Sequence, residues 1–445
     1  MSELIVCKFG GSSITSKADL EQIARIMNNN NRRVVVLSAP GKRNKQDTKV
    51  TDMLIELART KNKGLEDKII ERFQELTPGE NISELRTELE NRIDSSLSGP
   101  AYEDNLKAFG EYGSAVIASK LLGFCFVDPQ QLFKVTNDFG NAKILDESTN
   151  LIRTTLRGLL DRQVLVVPGF YGHTEEGQRA TFSRGGSDLT GAFISAALGA
   201  FEYENFTDTQ GVFSADPGIV KDPKIIKEMT FKEMRNLSYS GFVILHQEAV
   251  SPVYYESVPM HIRSTHGYDE EGTKVVSERI GDTTRPIIGV AYKPGFCTFG
   301  INSFGLNDRM GVMQGVAEVF TENGVSLEYM PGGVDDVKVA VNRHQRDVEF
   351  DGKMITTLHR GIVNKLRIDT KDIKFRDHIG CLVVAGKGIS EDVSYFSKVT
   401  ATLTDARIPL VFLPQGDLDN GHLIYPIDEK NGKDAVNLIY DKYIR

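Results

Sequence analysis

Cysteine and histidine are scarce, and neither set is spaced like a metal site or a disulfide framework. The four cysteines, Cys7, Cys125, Cys297 and Cys381, lie far apart in a chain of 445 residues. Three of them fall within apolar runs that are typical of buried strands. Isolated buried cysteines indicate a reducing compartment, so we predict no disulfide. Because the eight histidines show no ligand spacing either, we predict no metal bound by protein side chains.

Long apolar segments and an excess of positive charge are also missing. No run of about 18 apolar residues occurs, so we expect no transmembrane helix. The N-terminal segment lacks the pattern of a secretory signal, which predicts a cytoplasmic protein. The net charge of −8 and the pI of about 5.6 argue against nucleic acid or an anionic membrane as partner. The remaining composition is that of a globular protein with two or three domains.

Strand and helix signals alternate over the first part of the chain. This spacing is typical of βαβ units and predicts an α/β fold with a mainly parallel sheet. The apolar runs that predict buried strands lie at 4–9, 34–37, 124–127, 164–167 and 201–206, and helical periodicity covers 19–29, 51–97 and 105–122.

Shorter units follow from about residue 285, and they form an approximate repeat of about 70 residues. We therefore place one domain at 1–284 and a two-module region at 285–445. Predicted strands of this region lie at 288–292, 297–302, 325–329, 337–341, 381–385, 409–413 and 422–426, and predicted helices at 311–323, 355–364, 393–406 and 435–443.

A glycine-rich segment with a lysine follows the first predicted strand, at residues 8–13 (KFGGSS). Glycines at this place let backbone N–H groups approach an anion, and Lys8 supplies a positive charge. The lysine precedes the glycines, so the segment is not a Walker A loop. The residues alone leave two interpretations open, a phosphate-binding loop or a tight turn between strand and helix.

A second glycine-rich segment, residues 184–188 (RGGSD), precedes a helical pattern. Ser187 is predicted to cap this helix, and Asp188 in the first turn suits the helix dipole. Capping does not explain Arg184, whose guanidinium suits a carboxylate.

Two further features are open to a functional or a structural interpretation. Residues 207–217 (TDTQGVFSADP) form a polar loop after a predicted strand, either a ligand loop or a surface turn. Glu111 lies in a helical pattern between Gly110 and Gly113, each of which costs a helix about 1 kcal/mol. Something packs closely there, either a bound ammonium group or a neighbouring helix.

These segments together resemble the aspartate kinases of the amino-acid-kinase fold, and the paired modules resemble the tandem ACT domains of the same enzymes. The resemblance covers nearly the whole chain. It implies a three-layer, carbamate-kinase-like α/β sandwich at 1–284 and two ferredoxin-like ACT domains, at about 295–365 and at 285–294 plus 366–445. The segments that carry it are 8–13, 37–40 (LSAP), 109–111 (FGE), 166–170 (VVPGF), 184–188 and 207–217.

The resemblance implies transfer of the γ-phosphoryl group of ATP, bound with Mg²⁺, to the side-chain carboxylate of L-aspartate, the first step in the biosynthesis of lysine, threonine and methionine. No general base is required, because this carboxylate is already ionised at pH 7. Lys8 and Asp188 are implied in catalysis. The residues implied in aspartate binding are Ser38, Thr51, Glu111 and Arg184. Those implied in nucleotide binding are Lys8, Gly10, Gly11, Ser12, Thr207, Asp208, Phe213 and Asp216.

Three positions depart from the family pattern. Phe213 stands where a tyrosine is usual, Gly218 where an arginine is usual, and Val243 where a lysine is usual. We therefore expect two cationic contacts to the nucleotide to be missing; either another residue, such as Lys221 or Lys224, substitutes for them, or ATP binds in an altered way.

The ACT resemblance implies feedback inhibition by an amino acid, which we expect to be lysine, with threonine as the alternative. ACT domains pair between chains, so a homodimer or tetramer is expected. Two other functions compete with this interpretation: a kinase for glutamate, acetylglutamate or carbamate, and a non-catalytic amino-acid sensor. No fused homoserine dehydrogenase is expected. The residues implied in effector binding are Met313, Leu327, Glu328 and Asp335.

Overall fold

The computed structural model describes residues 3–28, 31–183, 185–239, 247–279, 285–345, 348–412, 415–417 and 421–445. The chain divides into two compact units. Unit 1 contains the described residues of 1–213, 225–238 and 243–279, and unit 2 contains those of 214–224, 239–242 and 280–445.

Unit 1 is built on one large sheet and a separate hairpin. Its strands are β1 Ile5–Phe9, β2 Arg32–Leu37, β3 Cys125–Phe126, β4 Leu165–Pro168, β5 Tyr171–His173, β6 Arg179–Thr181, β7 Glu202–Thr207, β8 Glu228–Thr230, β9 Met260–Ser264 and β10 Thr273–Val276. The eight-stranded sheet has the order β3-β4-β2-β1-β7-β9-β10-β8, and β5 pairs with β6. Neighbouring strands of the large sheet are parallel except for β9 and β10.

Helices cover both faces of this sheet. They are α1 Lys17–Met27, α2 Val50–Thr60, α3 Lys63–Leu76, α4 Ser83–Ile93, α5 Gly99–Lys107, α6 Phe109–Leu122, α7 Glu147–Leu160, α8 Gly186–Leu198, α9 Phe231–Tyr239 and α10 Gln247–Tyr255. Side chains of α1 to α6 form one core with Phe9 and Phe206, whose rings stack at 4.6 Å. Helix α8 packs on the opposite face, against β1, β2 and β7. The predicted three-layer sandwich is confirmed.

The helix predicted at 105–122 is in fact two helices, α5 and α6, which is a correction. They meet at Ala108, which is fully buried. No proline or glycine marks this junction in the sequence.

Unit 2 contains a five-stranded antiparallel sheet, in the order β12-β11-β13-β15-β14. Its strands are β11 Gly289–Asn302, β12 Asp336–Asn342, β13 Ile373–Ala385, β14 Gln415–Asp417 and β15 His422–Asp428. Its helices are α11 Val312–Glu322, α12 Gly352–Leu366, α13 Gly388–Glu391, α14 Ser394–Asp405 and α15 Gly432–Tyr443.

The long strands β11 and β13 run through two separate cores. One half of each strand packs around Phe299 with α11 and α12, and the other half packs around Tyr425 with α14 and α15. The strands predicted at 288–292 and 297–302 are therefore one strand, in which the pairing shifts register between Lys293 and Phe296. The intervening Pro294 and Gly295 predicted a break between two strands, because proline has no backbone N–H to donate to a neighbouring strand.

Two predicted strands are wrong. Residues 325–329 contribute only an isolated bridge between Tyr329 and Ala340, and 409–412 one between Leu410 and Ile427; residue 413 lies outside the described residues. Pro331 and Pro409 limit regular pairing in both segments. Among the described helices, we find none with the length and apolar content that a membrane span requires.

Candidate active site

The carboxyl ends of four neighbouring parallel strands lie at one edge of the large sheet. Phe9 at the end of β1 pairs with Leu37 of β2 and with Phe206 of β7. Leu37 in turn pairs with Pro168 of β4. The segments that follow these strands, including 10–13, 38–41 and 169–170, therefore start side by side, where ligands bind in open α/β sheets.

Lys8 and Asp188 form an ion pair at this edge. Lys8 Nζ lies 2.6 Å from Asp188 Oδ1, and both side chains are largely buried, with 9% and 13% exposed. Asn205 Nδ2 donates to the same carboxylate oxygen at 2.8 Å. The structure thus brings together the two residues predicted for catalysis and adds Asn205. The sequence signal for Asn205 was a polar residue inside a buried strand, next to Phe206.

The start of α8 corrects the predicted cap. Gly185, not Ser187, stands at the N-cap, with φ of 81°, and the helix begins at Gly186. Glycine adopts this left-handed conformation without a steric penalty. Asp188 lies in the first turn as predicted. Arg184 lies outside the described residues.

The loop after β1 contains two glycines with different surroundings. A Cβ at Gly11 would come within 2.8 Å of the Ala39 carbonyl oxygen, so packing alone requires glycine there. A Cβ at Gly10 would meet Lys8 Nζ at an ordinary 3.5 Å. Packing within the described chain therefore does not explain Gly10, and its bare backbone suits close approach by a phosphate.

Glu111 is buried in the first turn of α6, with 5% of the residue exposed. The main-chain N–H of Ala39 hydrogen-bonds its carboxylate, and burial raises the pKa of Glu111 to about 8. Its Oε2 has no hydrogen-bond partner among the described residues. A buried carboxylate oxygen without a donor is costly, so it suits a bound cation such as an ammonium group.

The two glycines near Glu111 are explained by packing. A Cβ at Gly110 would lie 2.6 Å from Ala39 Cβ, and a Cβ at Gly113 would lie 2.5 Å from the ring of Phe73. The helix-packing alternative therefore accounts for the glycines but not for Glu111 Oε2, which lacks a hydrogen-bond partner within the described ranges.

Ser38 and Thr51 lie on the segments that border the glycine loop. Ser38 N donates to Phe9 O at 3.2 Å, and Val50, the first residue of α2, donates to Pro40 O at 3.5 Å. The start of α2, with Thr51, is thereby held against residues 38–41.

The predicted nucleotide residues fall in both units. In unit 1, Thr207 Oγ1 donates to Asp208 Oδ1 at 3.0 Å, and Phe213 bridges to Ile225. In unit 2, Asp216 is exposed and its carboxylate accepts the N–H of Gly218 at 2.8 Å.

The two proposed substitutes for the missing cations differ. Lys224 Nζ donates to the main-chain oxygens of Ile444 and Arg445 within unit 2, so its ammonium is already engaged. Lys221 is exposed. Val243 lies outside the described residues.

The four predicted effector residues lie in α11 and in the segment between α11 and β12. Glu328 N donates to Ala340 O at 3.0 Å. Isolated bridges join Tyr329 to Ala340 and Gly332 to Val337, which makes 328–340 an irregular hairpin, and Asp335 lies in its turn. Met313, 40% exposed, lies beside Gly332, and Leu327 packs on the core of α11 and α12. Burial raises the pKa of Glu328.

One acidic cluster outside this edge has a composition that suits a metal, namely Glu202, Glu204 and His261. Arg32 binds Glu204 at 2.6 Å, and Arg263 binds it at 2.9 Å. Two guanidinium groups already neutralise this carboxylate, so the cluster is a poor cation site.

The fold and the ligand-binding edge of the large sheet are those of a small-molecule kinase, and the comparison with known proteins agrees with this class. The profile of the amino acid kinase family matches residues 3–264, and the chain belongs to this family. Aspartokinase 3 of Bacillus subtilis (strain 168) is 34% identical over 98% of both chains. Within the family, the chain therefore belongs to the aspartokinases.

Solved structures support the same assignment. The aspartate kinase of Clostridium acetobutylicum, 28% identical, superposes with a TM-score of 0.84 over 99% of this chain and 100% of that one. Two structures of E. coli aspartokinase III, with aspartate and ADP in the R state and with lysine and aspartate in the T state, superpose with TM-scores of 0.76 over all of both chains. At 20% and 19% identity they show the fold alone. The predicted family, fold and aspartate kinase activity are confirmed, and the residue roles stay predictions.

Proposed function

We propose that the edge formed by Lys8, the glycine loop and the start of α8 is where this aspartokinase transfers the γ-phosphoryl group of ATP to the side-chain carboxylate of L-aspartate. The products are ADP and 4-phospho-L-aspartate. The observation that carries the proposal is the buried ion pair between Lys8 Nζ and Asp188 Oδ1, which lie 2.6 Å apart. Lys8 lies close before the glycine loop in the chain.

The chemistry requires two anions to meet, and the residues of this edge reduce their repulsion. Lys8 supplies a positive charge to the transferring phosphoryl group, and Asp188 with Asn205 fixes the direction of its ammonium group. The N–H groups of the glycine loop and the positive end of the α8 dipole favour phosphate oxygens. We assign no protein ligand to Mg²⁺, because Asp188 is already paired with Lys8; bound with ATP, the ion would supply further positive charge to the phosphate oxygens.

Glu111 supplies the second half of the substrate site. Its Oε2, which has no partner in the part of the chain that the structure describes, suits the α-ammonium group of aspartate, whose charge would also favour ionisation of the buried carboxyl group. The α-carboxylate is assigned to Arg184 by the family resemblance alone.

The test is ATP-dependent formation of aspartyl hydroxamate from L-aspartate and hydroxylamine. Lys8→Ala is expected to lower kcat about 100-fold or more, because it removes a charge that acts on the transition state. Lys227→Ala, which alters a side chain that is 78% exposed, is the matched control and should retain activity. A Lys8→Ala enzyme with near-normal kcat would overturn the proposed site, and a folded wild type without activity would favour the amino-acid sensor.

We further propose that lysine inhibits the enzyme by binding unit 2, in a dimer or tetramer formed through the two modules. E. coli aspartokinase III has been crystallised with lysine and aspartate in the T state, and Glu328 is a half-buried carboxylate that suits an ε-ammonium group. Inhibition by threonine instead would replace lysine as the effector. The four cysteines are free, which agrees with our proposal of a cytoplasmic enzyme.

A further inference from the structure

A buried arginine of α3 contacts the loop that leads from β2 to α2. Arg72 has 5% of its side chain exposed, and its Nη2 donates to the carbonyl oxygen of Gly41. Its Nη1 lies 3.4 Å from Asp47 Oδ2 and 3.5 Å from Glu75 Oε2. Arg72 therefore joins α3 to the beginning of the loop and to Asp47 near its end.

A second arginine closes the same loop from outside. The guanidinium group of Arg43 donates to both oxygens of Asp47 at 3.0 Å and to both oxygens of Glu75 at 2.7 and 2.8 Å. Arg43 and Glu75 are exposed, whereas Arg72 and Asp47 are not. We call these four residues, Arg43, Asp47, Arg72 and Glu75, the loop clasp.

Gly41, the residue that Arg72 holds, lies directly on the glycine loop. Gly41 N donates to Gly11 O at 2.9 Å. A Cβ at Gly41 would overlap Gly11 O and approach Ser12 N to 2.9 Å, so Gly41 covers the peptide between Gly11 and Ser12. In a planar trans peptide the C=O and N–H point in opposite directions, so a bond that fixes Gly11 O also fixes the N–H of Ser12.

Stability alone does not explain Arg72. Burial, and then the charge of Arg43, lower the pKa of its guanidinium, and its Nε has no partner among the described residues. An apolar side chain at such a position is often as stable or more stable than a buried charge. Arg72 thus keeps a costly buried charge between two carboxylates and Gly41, and its hydrogen bond to Gly41 O is the contact that reaches the glycine loop.

We propose that Arg72 is a positioning residue for nucleotide binding, which acts through Gly41 on the peptide between Gly11 and Ser12. The inference rests on the proposed function, in which the N–H of this peptide donates a hydrogen bond to a phosphate oxygen of the nucleotide. In this proposal, the contact of Arg72 with Gly41 holds the glycine loop in place. Such a contact would compensate in part for the arginine and lysine that the family usually has at the positions of Gly218 and Val243.

The test compares Arg72→Met, Arg72→Lys and the control Arg86→Ala. Methionine keeps much of the volume of arginine, so Arg72→Met is expected to fold with a Tm close to that of the wild type. Its KM for ATP and its Kd for ADP, measured by calorimetry, should rise about 10-fold or more, while the KM for aspartate changes less than about threefold. Arg72→Lys should recover part of this loss, because an ammonium group can still donate to Gly41 O.

Arg86, whose side chain is 40% exposed, pairs with Asp67 of α3, and its removal should leave all three constants unchanged. Unchanged ADP affinity in Arg72→Met would overturn the inference, as would a uniform loss of all parameters together with a lower Tm. The ADP measurement needs no turnover, so it is separate from the test of Lys8: activity of Lys8→Ala contradicts the proposed site, and tight ADP binding by Arg72→Met contradicts the clasp alone.

Discussion

Two carboxylates that we assign to bound amino groups lie in very different surroundings. Glu111 of unit 1 is buried, accepts a hydrogen bond from the N–H of Ala39 and keeps one oxygen unpartnered among the described residues. Glu328 of unit 2 is half-buried, and the other predicted effector residues lie in α11 (Met313), beside Glu328 (Leu327) and at a turn seven residues further on (Asp335). The side chains that we propose for catalysis lie together at one edge of unit 1, as electrostatic catalysis requires. The residues that we predict to bind an effector are more dispersed within unit 2, and we therefore propose that a second chain completes the effector site.

The largest change in substrate binding is expected from a substitution at Glu111. Glu111→Gln removes the charge assigned to the α-ammonium group and should raise the KM for aspartate about 10- to 100-fold, with a smaller change in the KM for ATP. Glu88→Gln, at a partly exposed carboxylate of α4, is the control. A normal KM for aspartate in Glu111→Gln would break the assignment of unit 1 as a complete substrate site.

The pH dependence gives Glu111 a separate signature. Its pKa of about 8 in the free enzyme means that aspartate affinity should increase as the pH rises from about 6 to 8, because ionised Glu111 binds the ammonium group. The folded state holds this proton more tightly than the unfolded chain. The stability that it contributes is therefore complete below the ordinary pKa of 4.5 and is lost as the pH rises through about 8. Both trends should disappear in Glu111→Gln, measured by calorimetry and thermal unfolding.

The sequence predicted much of unit 1 because its signals are local. Lys8, the glycines of its loop and Asp188 lie next to the strand or helix ends that position them. The parallel register of the strands then brings these ends to the same edge of the sheet. Asn205 and Arg72 escaped prediction, because each acts through a contact with a distant part of the chain. In unit 2, Pro294 and Gly295 made one long strand look like two in the sequence. The strand continues because β13 pairs with β11 on both sides of these two residues.

The effect expected at Glu328 is smaller and confined to regulation. Glu328→Gln should raise the lysine concentration for half-inhibition about 3- to 10-fold and leave kcat and both KM values unchanged, because the residue belongs to unit 2. Sedimentation in the same buffers reports the oligomer, and inhibition is expected to weaken as dilution dissociates it. Tight lysine binding by a monomer would break the comparison, because unit 2 would then hold a complete site within one chain.

The smallest effect on activity is expected at two glycines of unit 1 helices, which separate packing from ligand binding. Gly113→Ala, two residues after Glu111, places a methyl group against the ring of Phe73 and should lower the free energy of unfolding by about 1–3 kcal/mol. Gly158→Ala, in α7 with open space around it, should instead raise it by about 0.5–1 kcal/mol. Thermal or urea unfolding measures both, and neither KM for aspartate should change by more than about twofold. If Gly113→Ala left stability intact but raised that KM, the glycine would serve the bound substrate, and the packing explanation for the residues around Glu111 would be wrong.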